Sequence, residues 1–320
     1  MDTLFINGGK ALCGELEVVT AKNAMLPILA GSIISGKSVI INKVAQFSDV
    51  IYMTKILSSL GASAVFEDDK LIINSASADK YIVKDEFTKK VRSSIFMLGP
   101  LLSRFKKAKV SYPGGCNIGN RPINLHIKGL EALNVKIEEK HGYIICDGKD
   151  MKSGEVHLDF PSVGATENLM MASVSLKGVT TIYNCAREPE IEDLQNFLNS
   201  MGCKISGAGS STIIIEGVDN FKETIYTPIK DRIVAGTYLI ACAMCGGDVS
   251  LIGCEKKYNL ALIQKLKQAG AEIIENGNNI RIISKKRLNS IPIIETQPYP
   301  RLSYRFAKPN TLVANNKQRH

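Results

Sequence analysis

The chain has 320 residues, 45% of them hydrophobic and 22% charged, with a net charge of +9 and no Trp. This is the balance of a soluble globular protein long enough for two cores. No apolar run approaches the roughly 20 residues of a membrane span. No block of five or more like charges stands out, so the positive balance suits anionic small molecules at least as well as nucleic acid.

The first ten residues, Met1 to Lys10, lack a charged start followed by an apolar stretch, so they do not read as an export signal. The eight cysteines follow no framework spacing and read as reduced cytoplasmic thiols. Thr20 is a candidate helix N-cap ahead of Lys22-Asn23 and the apolar run Ala24–Leu29. Free amides plus a lysine there make an anion site, and a solvated lysine is the plain alternative.

Next comes a glycine-led strand, Gly36–Asn42, and then a helix ending at Leu57–Leu60 with Gly61 as turn. The segment Tyr112–Pro122 holds three glycines and two prolines around Cys116, which excludes a helix or strand interior. Arg121 follows the thiol by five residues. Fixed positive charge lowers a thiol pKa, so Cys116 fits an acid or nucleophile, or else a structural cysteine beside a turn. Arg121 itself fits a phosphate or carboxylate fork, or a surface ion pair.

Ser162-Val163-Gly164 precedes a helix expected over 166–176, and its small residues and free amides suit a diphosphate, a plain cap, or both. Cys242 and Cys245 form a CxxC inside an apolar helical run without a second ligand pair, which predicts core packing and no metal site.

Two phrases repeat along the chain. Helix, small turn and strand recur at Gly61, Asn134, Gly202 and Gly270, about every 70 residues, each turn residue suiting the left-handed cap that ends a helix. Alternating strands follow at Lys70–Asn74, Tyr143–Cys146, Thr212–Ile215 and Asn279–Ile283. Glycine-led strands precede the first phrase at Gly36, Gly178 and Gly247, and Lys109–Tyr112 takes that place in the remaining copy. Four copies predict a repeated α/β architecture with helices packed inside and sheets facing out.

The words Ala21-Lys22-Asn23-Ala24, Arg92-Ser93-Ser94-Ile95, Gly114–Pro122, Leu125-His126-Ile127, Ser162–Asn168, Ala186–Ile191 and Asp231-Arg232-Ile233 together resemble the UDP-N-acetylglucosamine 1-carboxyvinyltransferase family. The resemblance implies an inside-out α/β barrel of six such units in two domains, of which four are visible here. It places a complete three-unit domain at 22–229, an incomplete second domain at 1–21 plus 230–300, and no metal or other cofactor.

It also implies transfer of the enolpyruvyl group of phosphoenolpyruvate to the 3-hydroxyl of UDP-N-acetylglucosamine. That is the committed cytoplasmic step of peptidoglycan synthesis, and so of cell-wall growth, cell shape and division. By the same resemblance Cys116 is the proton donor and the thiol alkylated by fosfomycin. Lys22, Asn23, Cys116 and Arg121 contact phosphoenolpyruvate. Asn23, Arg92, Arg121, Pro122, Ile123, Asn124, Leu125, Ser162, Val163 and Gly164 contact the UDP-sugar. Glu188, Glu190, Asp231 and Arg232 match positions near the family's interdomain cleft, and His126 reads as structural. The sister shikimate transferase fits less well, because of Cys116 and the Ser162-Val163-Gly164 word.

Three departures stand out. Val19-Thr20 replaces the usual Ser-Gly, and Val234 replaces a usual Glu. After Pro300, where the family continues Gly, aromatic, Pro, Thr, Asp with the Asp as proposed base, this chain reads Arg301–Asn310. Back-translated with allowed codons and shifted by one nucleotide, those residues yield Gly-Tyr-Pro-Thr-Asp-Leu-Gln-Ser-Gln. The expectation is therefore a frameshift after Pro300, a disordered tail over 301–320 and little transferase activity in this chain. A non-catalytic remnant that binds UDP-sugar weakly is the competing expectation.

Overall fold

The structure, a computed structural model, describes residues 3–5, 7–114, 123–285, 288–291, 294–302 and 306. In chain order the elements begin β1 (Leu12–Glu17), α1 (Lys22–Gly31), β2 (Ser38–Ile41), α2 (Ser48–Ser59), β3 (Ser63–Glu67) and β4 (Lys70–Asn74). Next are β5 (Ile82–Val83), α3 (Asp85–Thr88), a 3-10 helix (Arg92–Met97), α4 (Leu98–Phe105), β6 (Lys107–Ser111), α5 (Asn124–Ala132), β7 (Lys136–Lys140) and β8 (Tyr143–Asp147). Then follow β9 (Glu155–His157), α6 (Val163–Ser173), β10 (Val179–Tyr183), α7 (Pro189–Ser200), β11 (Lys204–Ser206), β12 (Thr212–Glu216) and β13 (Thr224–Tyr226). The last are α8 (Arg232–Cys245), β14 (Gly247–Ile252), a 3-10 turn (Lys256–Tyr258), α9 (Leu260–Gln268), β15 (Glu272–Asn276) and β16 (Asn279–Ser284).

The repeats fold alike. Gly61, Asn134, Gly202 and Gly270 all take positive φ, between 65° and 99°. In each copy the following residue's N–H bonds back five residues, as Ala62 to Leu57, Val135 to Leu130, Cys203 to Leu198 and Ala271 to Leu266. These are Schellman caps, and they turn each helix straight into its strand.

Among the described residues four sheets of four strands result, ordered β13-β2-β4-β3, β5-β6-β8-β7, β9-β10-β12-β11 and β1-β14-β16-β15. In every sheet the first strand runs parallel to the second and the other pairings are antiparallel. The sheets bury alternate residues, as in Val39 and Ile41 of β2, whereas α6 is buried without interruption from Ala165 to Ser173. A helix that is mostly apolar all round belongs in a core, and a sheet with one apolar face belongs outside it.

The chain divides into Thr20–Ile229 and a second unit of Met1–Val19 with Lys230–His320. The larger unit holds three of the sheets around one core and the smaller unit holds the fourth around its own. Thr20 and Ala21, expected in the second domain, lie with the larger unit. The Thr20 hydroxyl donates to the Lys43 carbonyl and Ala21 N–H to the Ile229 carbonyl. Thr20 is consequently not a helix cap, and Ala21 holds that place in α1 without a side-chain bond.

Helix α6 begins at Val163, three residues before the expected start, because Ser162 caps it by accepting the Ala165 N–H at 3.4 Å. It stops short of Leu176 where Leu176 N–H turns back onto the Ser173 carbonyl. The expectation of disorder from residue 301 does not hold at Leu302 and Phe306, which are 5% and 3% exposed in the smaller core. The Phe306 ring occupies the space beside Gly236 of α8, 2.5 Å from where a Cβ would stand. Residues 307–320 lie outside the described residues. Phe306→Ala is expected to destabilise the smaller unit by about 3–4 kcal/mol in urea titration. An unchanged midpoint would remove Phe306 from that core.

Asp193 of α7 holds the end of the larger unit. Its Oδ1 accepts the Tyr226 hydroxyl at 2.6 Å and its Oδ2 the Ile229 N–H at 3.2 Å. Burial pushes its pKa up to about 6, against the pull of those two bonds and with help from Glu190. The folded state therefore binds more protons than the unfolded chain between about pH 4 and 6, and stability falls as pH rises through that window. Relative to Asp193→Asn, the wild type is expected to lose about 2 kcal/mol between pH 4 and 7. Urea titrations at the two pH values measure it, and a constant difference would contradict the assignment.

Candidate functional site

In the larger unit the elements that bear the expected substrate contacts pack side by side. Helix α1 lies against the 3-10 helix of Arg92, that helix against α6, and α6 against α5. Lys22, Arg92, Asn124 and Val163 are the first residues of these four helices, so four helix starts carry the expected contacts. Helix starts expose unbonded N–H groups and a positive dipole end.

At α6 the first intrahelical bond runs from Thr166 N–H to the Ser162 carbonyl, which leaves the Val163 and Gly164 amides ahead of the ladder. Ser162, Val163 and Gly164 are all half-buried. No side chain fits at residue 164 without displacement. A Cβ there would stand 3.0 Å from His126 Cε1, 3.2 Å from His126 Nε2 and 3.4 Å from Phe96.

Residue Ile123 is buried as the N-terminal cap of α5, Asn124 is exposed and Leu125 half-buried. In the first turn of that helix His126 is buried, and its pKa falls to about 4 because burial disfavours the cation and Arg92 repels it. The ring is therefore neutral at pH 7. Asn168 of α6 bonds its Nδ1 at 2.8 Å.

Lys22 is half-exposed and pairs with Asp49 of α2 at 2.8 Å. Asp49 was not foreseen from the sequence, because it sits 27 residues from Lys22 and outside every motif named above. Asn23 follows on α1 and is half-buried. Cys116, Arg121 and Pro122 lie outside the described residues. Glu188 stands at the N-terminal cap position of α7 without a side-chain capping bond, and Glu190 is buried one residue into that helix. Asp231 and Arg232 belong to the smaller unit. Asp231 caps α8 by accepting the Ile233 and Val234 N–H groups at 2.8 and 3.0 Å, so Val234 serves there through its backbone.

The cysteines of the core are chemically quiet. Burial pushes the thiols of Cys146 and Cys203 up to about 12, and those of Cys185, Cys242 and Cys254 to about 11. A protonated thiol is a poor nucleophile and metal ligand. Among the described residues no group of three His, Cys, Asp or Glu side chains could hold a metal ion. Nor is any described helix long and apolar enough to cross a membrane.

A family profile described as EPSP synthase (3-phosphoshikimate 1-carboxyvinyltransferase) matches residues 6–313. The UDP-N-acetylglucosamine 1-carboxyvinyltransferase 2 of Caldanaerobacter subterraneus subsp. tengcongensis is 48% identical over 295 residues, which cover 92% of this chain and 71% of that protein. This chain belongs to the UDP-N-acetylglucosamine 1-carboxyvinyltransferase family. The family's enzyme 1 of Clostridium perfringens is 44% identical over 305 residues, or 94% of this chain and 72% of that protein.

The enolpyruvyl transferase NikO of Streptomyces tendae superposes with a TM-score of 0.85 at 16% identity, over 97% of this chain and 74% of that one. An EPSP synthase of Acinetobacter baumannii does so with a TM-score of 0.69 at 17% identity, over 90% of this chain and 68% of that one. Membership makes the chain an enolpyruvyl transferase by family, and the structural likeness assigns it the enolpyruvyl transferase fold, an inside-out α/β barrel.

Proposed function

We propose that the chain serves transfer of the enolpyruvyl group from phosphoenolpyruvate to the 3-hydroxyl of UDP-N-acetylglucosamine, in the cytoplasmic synthesis of peptidoglycan. The observation that carries this reading is the first turn of α6, where the Val163 and Gly164 amides lie ahead of the helix ladder and Gly164 packs against a buried neutral His126, with Arg92 close enough to depress that ring's pKa. Such a place suits a diphosphate. The Ile123–Leu125 segment, which leads into α5, meets the remainder of the nucleotide. Lys22 and Asn23 receive phosphoenolpyruvate, and Asp49 holds the ammonium of Lys22 at the start of α1.

The reaction is an addition followed by an elimination. Protonation of the methylene carbon, with Cys116 as acid, lets the sugar oxygen bond to the adjacent carbon while a base takes the hydroxyl proton. Loss of phosphate and of a methyl proton then restores the double bond. Cationic groups, Lys22 and Arg121 among them, stabilise the phosphate and carboxylate throughout.

A second reading, binding with little turnover, is favoured by Arg301–Asn310 standing in place of the acid-bearing family word. Phosphate release with both substrates separates the two. This chain is expected to bind UDP-N-acetylglucosamine and to release phosphate far more slowly than about 10 s⁻¹, the middle of the range for enzymes. Turnover at that rate would refute the second reading, and absence of UDP-sugar binding would refute both. In the same samples fosfomycin is expected to add once, on Cys116, and a labelled core cysteine would contradict its role as the reactive thiol.

A further inference from the structure

Asn168 is fully buried in α6, and its amide is oriented by two backbone groups. Oδ1 accepts the Gly99 N–H at 2.9 Å, while Nδ2 donates to the Ile95 carbonyl at 3.0 Å. The first bond decides which end of the amide is oxygen. Nδ2 is then the atom 2.8 Å from His126 Nδ1. A donor at that place requires Nδ1 to accept, so the single proton of the neutral imidazole lies on Nε2.

The ring is only 8% exposed, and Nε2 has no hydrogen-bond partner among the described residues. Its Cε1–Nε2 edge faces Gly164, and Phe96 flanks the same face of that residue. Arg92 is the charged group that acts on the ring. An N–H at the open edge of an otherwise buried ring, next to the helix-start residue Gly164, is free to donate to an acceptor that arrives there.

We propose that Asn168 is a positioning residue that locks His126 as an Nε2–H donor to an anion on the first turn of α6. The proposal rests on the reading of that turn as the seat of a diphosphate, and it gives His126 a binding role where its sequence context suggested a structural one. Asn168 itself touches no ligand. It acts by fixing the tautomer, and a neutral donor adds a hydrogen bond without the cost of burying a cation next to Arg92.

Long-range proton–nitrogen spectra of the histidine-labelled 320-residue chain test this, with His126→Gln assigning the signals. The ligand-free protein is expected to show His126 as the Nε2–H tautomer, with no titration between about pH 5.5 and 8. Inorganic pyrophosphate or UDP is expected to shift Nε2 and its proton while Nδ1 remains an acceptor. In Asn168→Asp a carboxylate accepts where the amide donated. His126 then gains a proton on Nδ1 and titrates inside that range, with pyrophosphate bound about tenfold more tightly at its lower end than wild type binds it there.

An Nδ1–H tautomer in the wild type would overturn the proposal. So would an Nε2 signal that neither anion moves, or an Asn168→Asp protein with unchanged His126. Should the variant fail to fold, the wild-type tautomer and the Nε2 shift still decide. Pyrophosphate moving Nε2 while UDP-N-acetylglucosamine does not would support the donor and contradict only the sugar-nucleotide reading.

Discussion

Gly164→Val is expected to weaken UDP-N-acetylglucosamine binding by about 100-fold or more, equivalent to about 2.7 kcal/mol. Even one added carbon at this residue stands 3.0 Å from the His126 ring and 3.4 Å from Phe96. Valine adds two further methyl groups against the His126 edge that is proposed to meet the anion. Nothing in the backbone opposes the change, because Gly164 does not take a positive φ. Displacing the His126 and Phe96 rings is expected to cost about 1–3 kcal/mol, so the fold survives with a midpoint lowered by several degrees and binding is lost in calorimetry. Retained affinity would move the diphosphate away from α6.

Gly217→Ala carries the largest expected cost in stability. Gly217 follows β12, its N–H donates to the Gly178 carbonyl at 3.1 Å, and its neighbour Val218 N–H to the Val174 carbonyl at 2.8 Å. A Cβ would lie 1.6 Å from the Leu176 carbonyl oxygen, a backbone atom that no rotamer change can move. One of the two chain segments has to separate. The expected loss is about 4 kcal/mol, among the large values for single substitutions. For a unit of this size that lowers the midpoint by about 8–16 °C. A shift under a few degrees would mean that the β12 end and the α6–β10 turn do not approach as described.

The repeats were legible because their signals are local. A Schellman cap needs a residue that tolerates positive φ, and Gly61, Asn134, Gly202 and Gly270 announce it directly in the sequence. The alternating strands β4, β8, β12 and β16 are equally plain. The parallel edge strands were not legible, since β5, β9 and β13 have two or three residues and pair with strands outside their own repeat phrase. The end of α6 was not legible, because apolar residues continue through Leu176 after the helix has turned.

At the site, Ser162-Val163-Gly164 could be read from small residues ahead of an apolar run. The Asn168–His126 bond could not, because it joins residues 42 apart on two helices. A buried histidine in a helix looks structural until the orientation of its partner amide is known. Phe306 was hidden for another reason. The segment from Arg301 has no periodicity, and only the gap at Gly236 explains why one of its rings is buried. The cysteine loop, legible in composition, falls largely on residues outside those described.

Calorimetric titration of the 320-residue chain with UDP-N-acetylglucosamine at pH 7 tests the site most directly. It is run beside Gly164→Val and includes inorganic pyrophosphate as competitor. A single saturable site is expected in the wild type, displaced by pyrophosphate and lost in the variant. Absence of binding, or binding that Gly164→Val leaves unchanged, would contradict the claim that the helix starts of the larger unit form the UDP-sugar site.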